Sequence, residues 1–204
     1  MYKVIGMPRN RTLRVLWMLE ELGEAYELET AEPRTEAVTS RNPSGKVPIL
    51  EDDGAVLTDS VAIVQYLADK HQRFTAPAGT LARGRQDALT QFAVDEIEGP
   101  LWTIAKHKFV LPKEHRQPDI RGACAFEFAK AMRSLEARLS ASSAGGPYAF
   151  GDGFTVPDLL LGHCARWARA AKIDIPAEGT PVATYFSAVT RRPALGVLDA
   201  RYQA

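Results

Sequence analysis

Cysteine is scarce. Cys124 and Cys164 are the only two in 204 residues, with neither the Cys-x-x-Cys spacing of a redox centre nor the His and Cys clusters of a zinc site. They read as packed thiols. Charge of one sign is not in excess either, since 25 Lys and Arg meet 25 Asp and Glu. No surplus positive charge is left to drive nucleic-acid or anionic-membrane binding, and only a local basic patch stays open. No stretch approaches the roughly 20 apolar residues of a membrane helix. Met1 leads into Tyr2-Lys3-Val4-Ile5 and not into a basic segment followed by an apolar one, so a cytoplasmic protein is expected. Gly-rich phosphate loops, Ser-His-Asp spacing and metal motifs are missing, and His107 and His163 lack the partners that a metal or base site needs. What is present is an ordinary globular composition, 46% apolar and 25% charged, which excludes intrinsic disorder, collagen and low-complexity scaffolds. The length suits one large domain or two small ones.

The first 70 residues alternate strand and helix signals. Residues 2 to 6 are β-prone and end at Gly6 and Pro8, after which Leu13, Leu16, Met18 and Leu19 recur at helical spacing until Gly23. Tyr26 to Thr30 suits a second strand, Thr35 to Arg41 a short helix, and Asn42-Pro43-Ser44-Gly45 a turn. The Asp53-Gly54 step between Val47-Pro48-Ile49-Leu50 and Ala55-Val56-Leu57 is a strong hairpin signal. Asp59 and Ser60 then offer capping side chains to a helix running to about Lys70. Residues 73 to 80, with Pro77 and Gly79, break both periodicities and mark a linker between a domain of residues 1–72 and one of residues 81–204. Beyond the linker only helices are expected: 81–111, 119–143, 156–171, 181–191 and a short one after Pro193. Thr155 can cap the third of these, with Pro157 and Asp158 in its first turn.

Two segments could carry chemistry. Pro48 removes one N–H at the start of a strand, and a cis Val47–Pro48 bond would turn the N–H and C=O of Val47 outward to pair with an extended peptide. Asp59 and Ser60, at a helix N-terminus, combine a carboxylate for a ligand ammonium with a hydroxyl and free N–H groups for a ligand carboxylate. For Asp59-Ser60 alone, plain helix capping is the simpler reading.

The element order βαβαββα, a linker and an all-helical part, together with PRNRTLRVLWMLEELG, NPSGKVPIL, LTDSVAIVQYL and FTVPDLLLG in this order, resembles the cytosolic glutathione S-transferase superfamily over essentially the whole chain. The resemblance implies an α/β plus all-α fold, with an N-terminal thioredoxin-like βαβαββα domain followed by a C-terminal helical bundle. It implies glutathione as cosubstrate, an electrophilic or hydrophobic small molecule as second substrate, no metal, no nucleic-acid or membrane partner, and a homodimer. Val47, before Pro48, would bond the cysteinyl backbone of glutathione, Asp59 and Ser60 would hold its γ-glutamyl end, and Lys46 its glycyl carboxylate, a solvated surface lysine being the alternative. The thiol would lie at the N-terminus of the first helix, where positive potential favours a thiolate.

The first loop departs from the common patterns, because Met7-Pro8-Arg9-Asn10-Arg11-Thr12 contains no Ser or Cys and Tyr2 lies too early. Counting back from Arg14, which resembles the arginine of serine-type members, puts Asn10 at the serine position, and an Asn N–H₂ donates hydrogen bonds. Asn10 is the first choice for the thiolate contact, Thr12 the second and Arg9 the third, with loop shaping and helix capping as the alternative for all three. Trp102, His107, Phe109 and Trp167 fall where similar proteins line the second-substrate pocket, although aromatics at helical spacing are also ordinary core residues. Detoxifying conjugation is the activity implied. A glutathione-dependent disulfide or peroxide reductase and a noncatalytic binding protein on the same fold are the rival readings.

Overall fold

A computed structural model describes residues 1–141 and 145–202. The chain divides into two compact units, Met1–Ala78 with Arg191–Ala204, and Gly79–Thr190.

The first unit is a four-stranded mixed sheet in the order β2-β1-β3-β4, built from β1 (Tyr2–Ile5), β2 (Tyr26–Glu29), β3 (Ile49–Asp52) and β4 (Ala55–Thr58). β1 and β2 run parallel, joined through helix α1 (Thr12–Leu22), while β1/β3 and β3/β4 are antiparallel. The β3–β4 hairpin turns on Asp53 and Gly54, both at positive φ (49° and 81°), the conformation that makes Asp-Gly a preferred hairpin pair. Both faces of the sheet are covered. Ile5 and Ile49, paired across β1 and β3, pack with Val38 of the short helix α2 (Glu36–Thr39). Alternation therefore sends their neighbours Val4 and Leu50 to the opposite face, toward α1 and α3 (Ser60–Lys70), and all four strand residues are fully buried.

At the far end of β3, Asp52 accepts from Tyr66 Oη (2.6 Å) and Lys70 Nζ (2.5 Å). Burial pushes the Asp52 carboxyl up, but these two donors outweigh it and hold the group below its ordinary value.

The last helix of the chain, α9 (Pro193–Tyr202), groups with this unit and not with the helices that precede it, so the expected helical block 81–204 loses its final segment. Leu195 and Leu198 of α9 are fully buried, and charge pairs flank them. Arg192 donates to both carboxylate oxygens of Glu21 at 2.6 Å, and Arg201 Nη1 reaches Glu20 Oε1 (2.6 Å) and the Tyr26 hydroxyl (2.7 Å).

The second unit is helical: α4 (Leu81–Phe92), α5 (Gly99–Ala105), α6 (Ile120–Ala141), α7 (Val156–Ala170) and α8 (Pro181–Thr190). Among the described residues the only β-type pairing here is an isolated bridge between Tyr148 and Gly151. The single helix expected over 81–111 is interrupted by π-helical turns at Ala93–Glu98 and Lys106–Val110. Pro100 lacks an N–H and its ring crowds the carbonyl four residues back, which a widened preceding turn accommodates. The end of the helix expected over 119–143, Ser142 and Ser143, lies outside the described residues. At the start of α7 the carboxylate of Asp158 is the hub. It is fully buried and accepts from Thr155 N–H (2.8 Å), Thr155 Oγ (2.6 Å), Ala149 N–H (2.9 Å) and Tyr185 Oη (2.8 Å). Thr155 thus donates its hydroxyl to Asp158.

Candidate functional site

Three segments of the first unit converge at Val47. β3 pairs Ile49 with Thr58 on one side and with Ile5 on the other. Val47 stands two residues before Ile49 and Ser60 two residues after Thr58, both at the open end of the β3–β4 hairpin, and the chain that follows Ile5 approaches the same end. Gly6 confirms this approach: a Cβ built there would stand 3.1 Å from Val47 Cβ and 2.3 Å from Thr12 Oγ1, and its φ is +146°. Only glycine fits. The Val47–Pro48 bond is cis. Val47 is half-buried, and among the described residues neither its N–H nor its C=O is hydrogen-bonded.

Asp59 caps α3, its Oδ1 accepting from Val61 N–H at 3.0 Å. Ordinary caps hold β-region dihedrals, whereas Asp59 sits at φ 71°, ψ 117°. A non-glycine residue there costs about 1 to 3 kcal/mol, and such strain gathers at ligand sites. Capping is therefore present, but it does not require this backbone. Ser60 is buried, and its Oγ accepts from Arg14 Nη1 at 3.2 Å. Arg14 itself, in the first turn of α1, is only 1% exposed.

In the first loop, Asn10 Oδ1 accepts from both the N–H (2.9 Å) and the hydroxyl (2.8 Å) of Thr12. A backbone N–H can only donate, so the amide oxygen must face Thr12 and the N–H₂ of Asn10 is left to donate elsewhere. Thr12 is fully buried, with its hydroxyl proton committed to Asn10. Arg9 is exposed and pairs with Glu32. Lys46 is exposed, its backbone C=O held by Asn42 Nδ2 (2.9 Å), while Asn42 Oδ1 accepts from Ser44 N–H (3.1 Å) and Ser44 Oγ (2.8 Å). Asn42 thus braces the turn that presents Lys46 and Val47.

In the second unit Trp102 and Trp167 meet edge to face with ring centroids 6.5 Å apart, and His163 joins Trp167 at 6.0 Å. The other two predicted pocket residues lie apart from these ring contacts. His107 Nδ1 accepts from Gln117 N–H at 3.0 Å, and Phe109 is 65% exposed. Among the described residues, no group of three or more His, Cys, Asp or Glu could hold a metal ion, and no helix is long and apolar enough to cross a membrane.

Residues 10–70 match the family model for the glutathione S-transferase N-terminal domain. A maleylacetoacetate isomerase from Rhizobium meliloti (strain 1021) is 30% identical over 82% of this chain and 81% of its own length. The chain belongs to the cytosolic glutathione S-transferase superfamily. A glutathione S-transferase from Escherichia coli O157:H7 is 28% identical over 74% of this chain and 71% of its own. Among solved structures, a glutathione transferase from Methylococcus capsulatus str. Bath superposes with a TM-score of 0.83 at 26% identity, covering 100% of this chain and 99% of that one.

In this member of the glutathione S-transferase superfamily, three more residues pack against the candidate site residues: Arg14, Gly6 and Asn42. An arginine inside the apolar run Leu13, Val15, Leu16 is a sequence signal of a buried polar role for Arg14. Gly6 and Asn42 carry no local signal of their close contacts.

Proposed function

We propose that the chain is a glutathione transferase that binds reduced glutathione in its first unit and conjugates it to an electrophilic or hydrophobic small molecule. Bound glutathione would supply a cysteinyl thiolate as nucleophile. Val47 offers one backbone donor and one acceptor to the cysteinyl peptide. Asp59 takes the γ-glutamyl ammonium, Ser60 and the start of α3 take its carboxylate, and Lys46 takes the glycyl carboxylate. Asn10 donates through Nδ2 to the sulfur at the N-terminus of α1. Lowering a thiol pKa from ~8.5 to near 7 requires about 2 kcal/mol, and one charge-assisted hydrogen bond contributes about 1.5 to 3 kcal/mol. Asn10 and the helix end are therefore enough without a tyrosine. Thr12, with its proton already given to Asn10, orients the amide, and Arg9, held by Glu32, shapes the loop. Trp102 and Trp167 offer an aromatic surface to the second substrate, with His107 and Phe109 further along the same helical rod. Conjugation in a cytoplasmic homodimer, as a detoxifying step, completes the reading.

The observation that supports it is the unbonded N–H and C=O of Val47, among the described residues, at the open end of a hairpin whose second strand leads into Asp59-Ser60. Titration calorimetry with reduced glutathione, followed by parallel assays with an aryl halide and a disulfide, tests it. Heat at micromolar to millimolar ligand with aryl-halide turnover supports transfer, disulfide turnover alone supports a reductase, and no heat at millimolar glutathione overturns the proposal. A second reading is favoured by the 30% identity to a maleylacetoacetate isomerase. Turnover of maleylacetoacetate in the absence of aryl-halide conjugation would select it.

A further inference from the structure

We infer that Arg14 is a positioning residue that fixes the polarity of Ser60 and so sets the site's preference for a carboxylate; this rests on the glutathione reading above. Arg14 is 1% exposed and Ser60 is 4% exposed, and the guanidinium donates to Ser60 Oγ at 3.2 Å. A serine hydroxyl has one proton to give and two lone pairs to receive with. The Arg14 N–H occupies one lone pair, and its positive charge makes Oγ a poorer second acceptor and a stronger donor. The proton of Ser60 is thereby available to an anion at the start of α3, where the helix end adds positive potential. Next to it, the ionised carboxylate of Asp59 can only accept. A neutral serine beside Asp59 would read an amide or a carboxylate alike. With Arg14 behind it, the pair reads acceptor and donor in one fixed order, which matches the ammonium and carboxylate of an amino-acid head; an amide C=O still accepts from Ser60 but, being uncharged, binds that polarised donor more weakly.

The test measures dissociation constants by calorimetry for reduced glutathione, for its analogue with the γ-glutamyl α-carboxylate converted to a primary amide, and for N-acetylglutathione. The wild type should prefer glutathione over the carboxamide by about tenfold or more, the weight of one charge-assisted hydrogen bond. In Arg14→Met that ratio should fall below about threefold while the preference over N-acetylglutathione, set by Asp59, holds, and Arg14→Lys should restore the carboxylate preference. A merely structural arginine would weaken all three ligands together and leave the ratios unchanged, which overturns the inference. Should Arg14→Met fail to fold, Ser60→Ala decides: the carboxamide ratio must collapse there too, and an unchanged ratio overturns the inference. If the wild type binds glutathione with no preference over the carboxamide, only this inference fails. If it binds no glutathione, the functional reading fails with it.

Discussion

Replacing Asn10 separates two jobs that one side chain performs in the first loop. Asn10 Oδ1 holds the N–H and hydroxyl of Thr12 at 2.9 and 2.8 Å, and its N–H₂ is turned away from Thr12. Asn10→Ala removes the turn bond to Thr12 N–H that precedes α1, worth about 1 kcal/mol, and leaves the buried Thr12 hydroxyl without its acceptor, worth about 1 to 3 kcal/mol. At about 2 to 4 °C per kcal/mol for a chain of this size, the melting temperature should fall by roughly 5 to 15 °C. Asn10→Asp is the sharper probe. A carboxylate accepts both Thr12 bonds and suits a helix N-terminus, so stability should stay within about 1 kcal/mol of wild type. The donor, however, is gone and a negative charge faces the sulfur. Losing about 1.5 to 3 kcal/mol of thiolate stabilisation raises the bound thiol by about one to two pKa units. The pH profile of kcat/KM should shift to higher pH by that amount, with activity recovering at alkaline pH. Thermal unfolding and the ultraviolet thiolate titration of bound glutathione read the two effects separately. A folded Asn10→Asp enzyme with an unshifted profile would refute the donor role and leave Asn10 as a loop-shaping residue.

Further perturbations follow from the same geometry. Gly6→Ala places a methyl 2.3 Å from Thr12 Oγ1 at a φ of +146°, so the urea midpoint should fall by the equivalent of at least about 2 kcal/mol; a neutral effect would contradict the packing of loop and Val47. Arg192→Ala strips a bidentate partner from Glu21, whose side chain is 6% exposed, and should cost about 3 kcal/mol in urea unfolding while opening α9 to limited proteolysis; a loss below about 0.5 kcal/mol would count against the clasp. Asp52→Asn tests the depressed carboxyl below α3. A carboxyl lowered in the folded state contributes stability above its unfolded value of ~3.9 and loses it as pH falls through the folded value. The variant should therefore be less stable than wild type at pH 7 and converge with it at pH 2 to 3, and a pH-independent difference would exclude the Lys70 and Tyr66 contacts as the cause.

Much of the fold was readable because its punctuation is local. Gly23, the Asp53-Gly54 turn and Pro77 each impose a backbone choice on their immediate neighbours, and the strands and helices of the first 70 residues fall between them. The Asp53-Gly54 turn is likewise legible as a two-residue hairpin, with Val47 before its first strand and Asp59-Ser60 after its second. Other features depend on partners distant in sequence and left no local trace. The ion pairs that flank α9 use Glu20 and Glu21, which read as ordinary surface acids of α1 until Arg192 and Arg201 are folded against them. The π-helical turn at Ala93–Glu98 answers to Pro100 without altering the apolar periodicity that marks the helix. The positive φ of Asp59 is invisible because aspartate is also the commonest kind of cap. The order of Asn10 before Thr12 comes from counting back from Arg14, whereas the donation of the Thr12 hydroxyl to Asn10 has no trace in the sequence.

The most direct test is an amide chemical-shift titration of uniformly ¹⁵N-labelled protein with reduced glutathione. Saturable movement of the Val47 and Ser60 amides with a single shared dissociation constant is the expected result. Saturation at other residues with Val47 unmoved would place the tripeptide elsewhere and contradict a site built on that backbone corner.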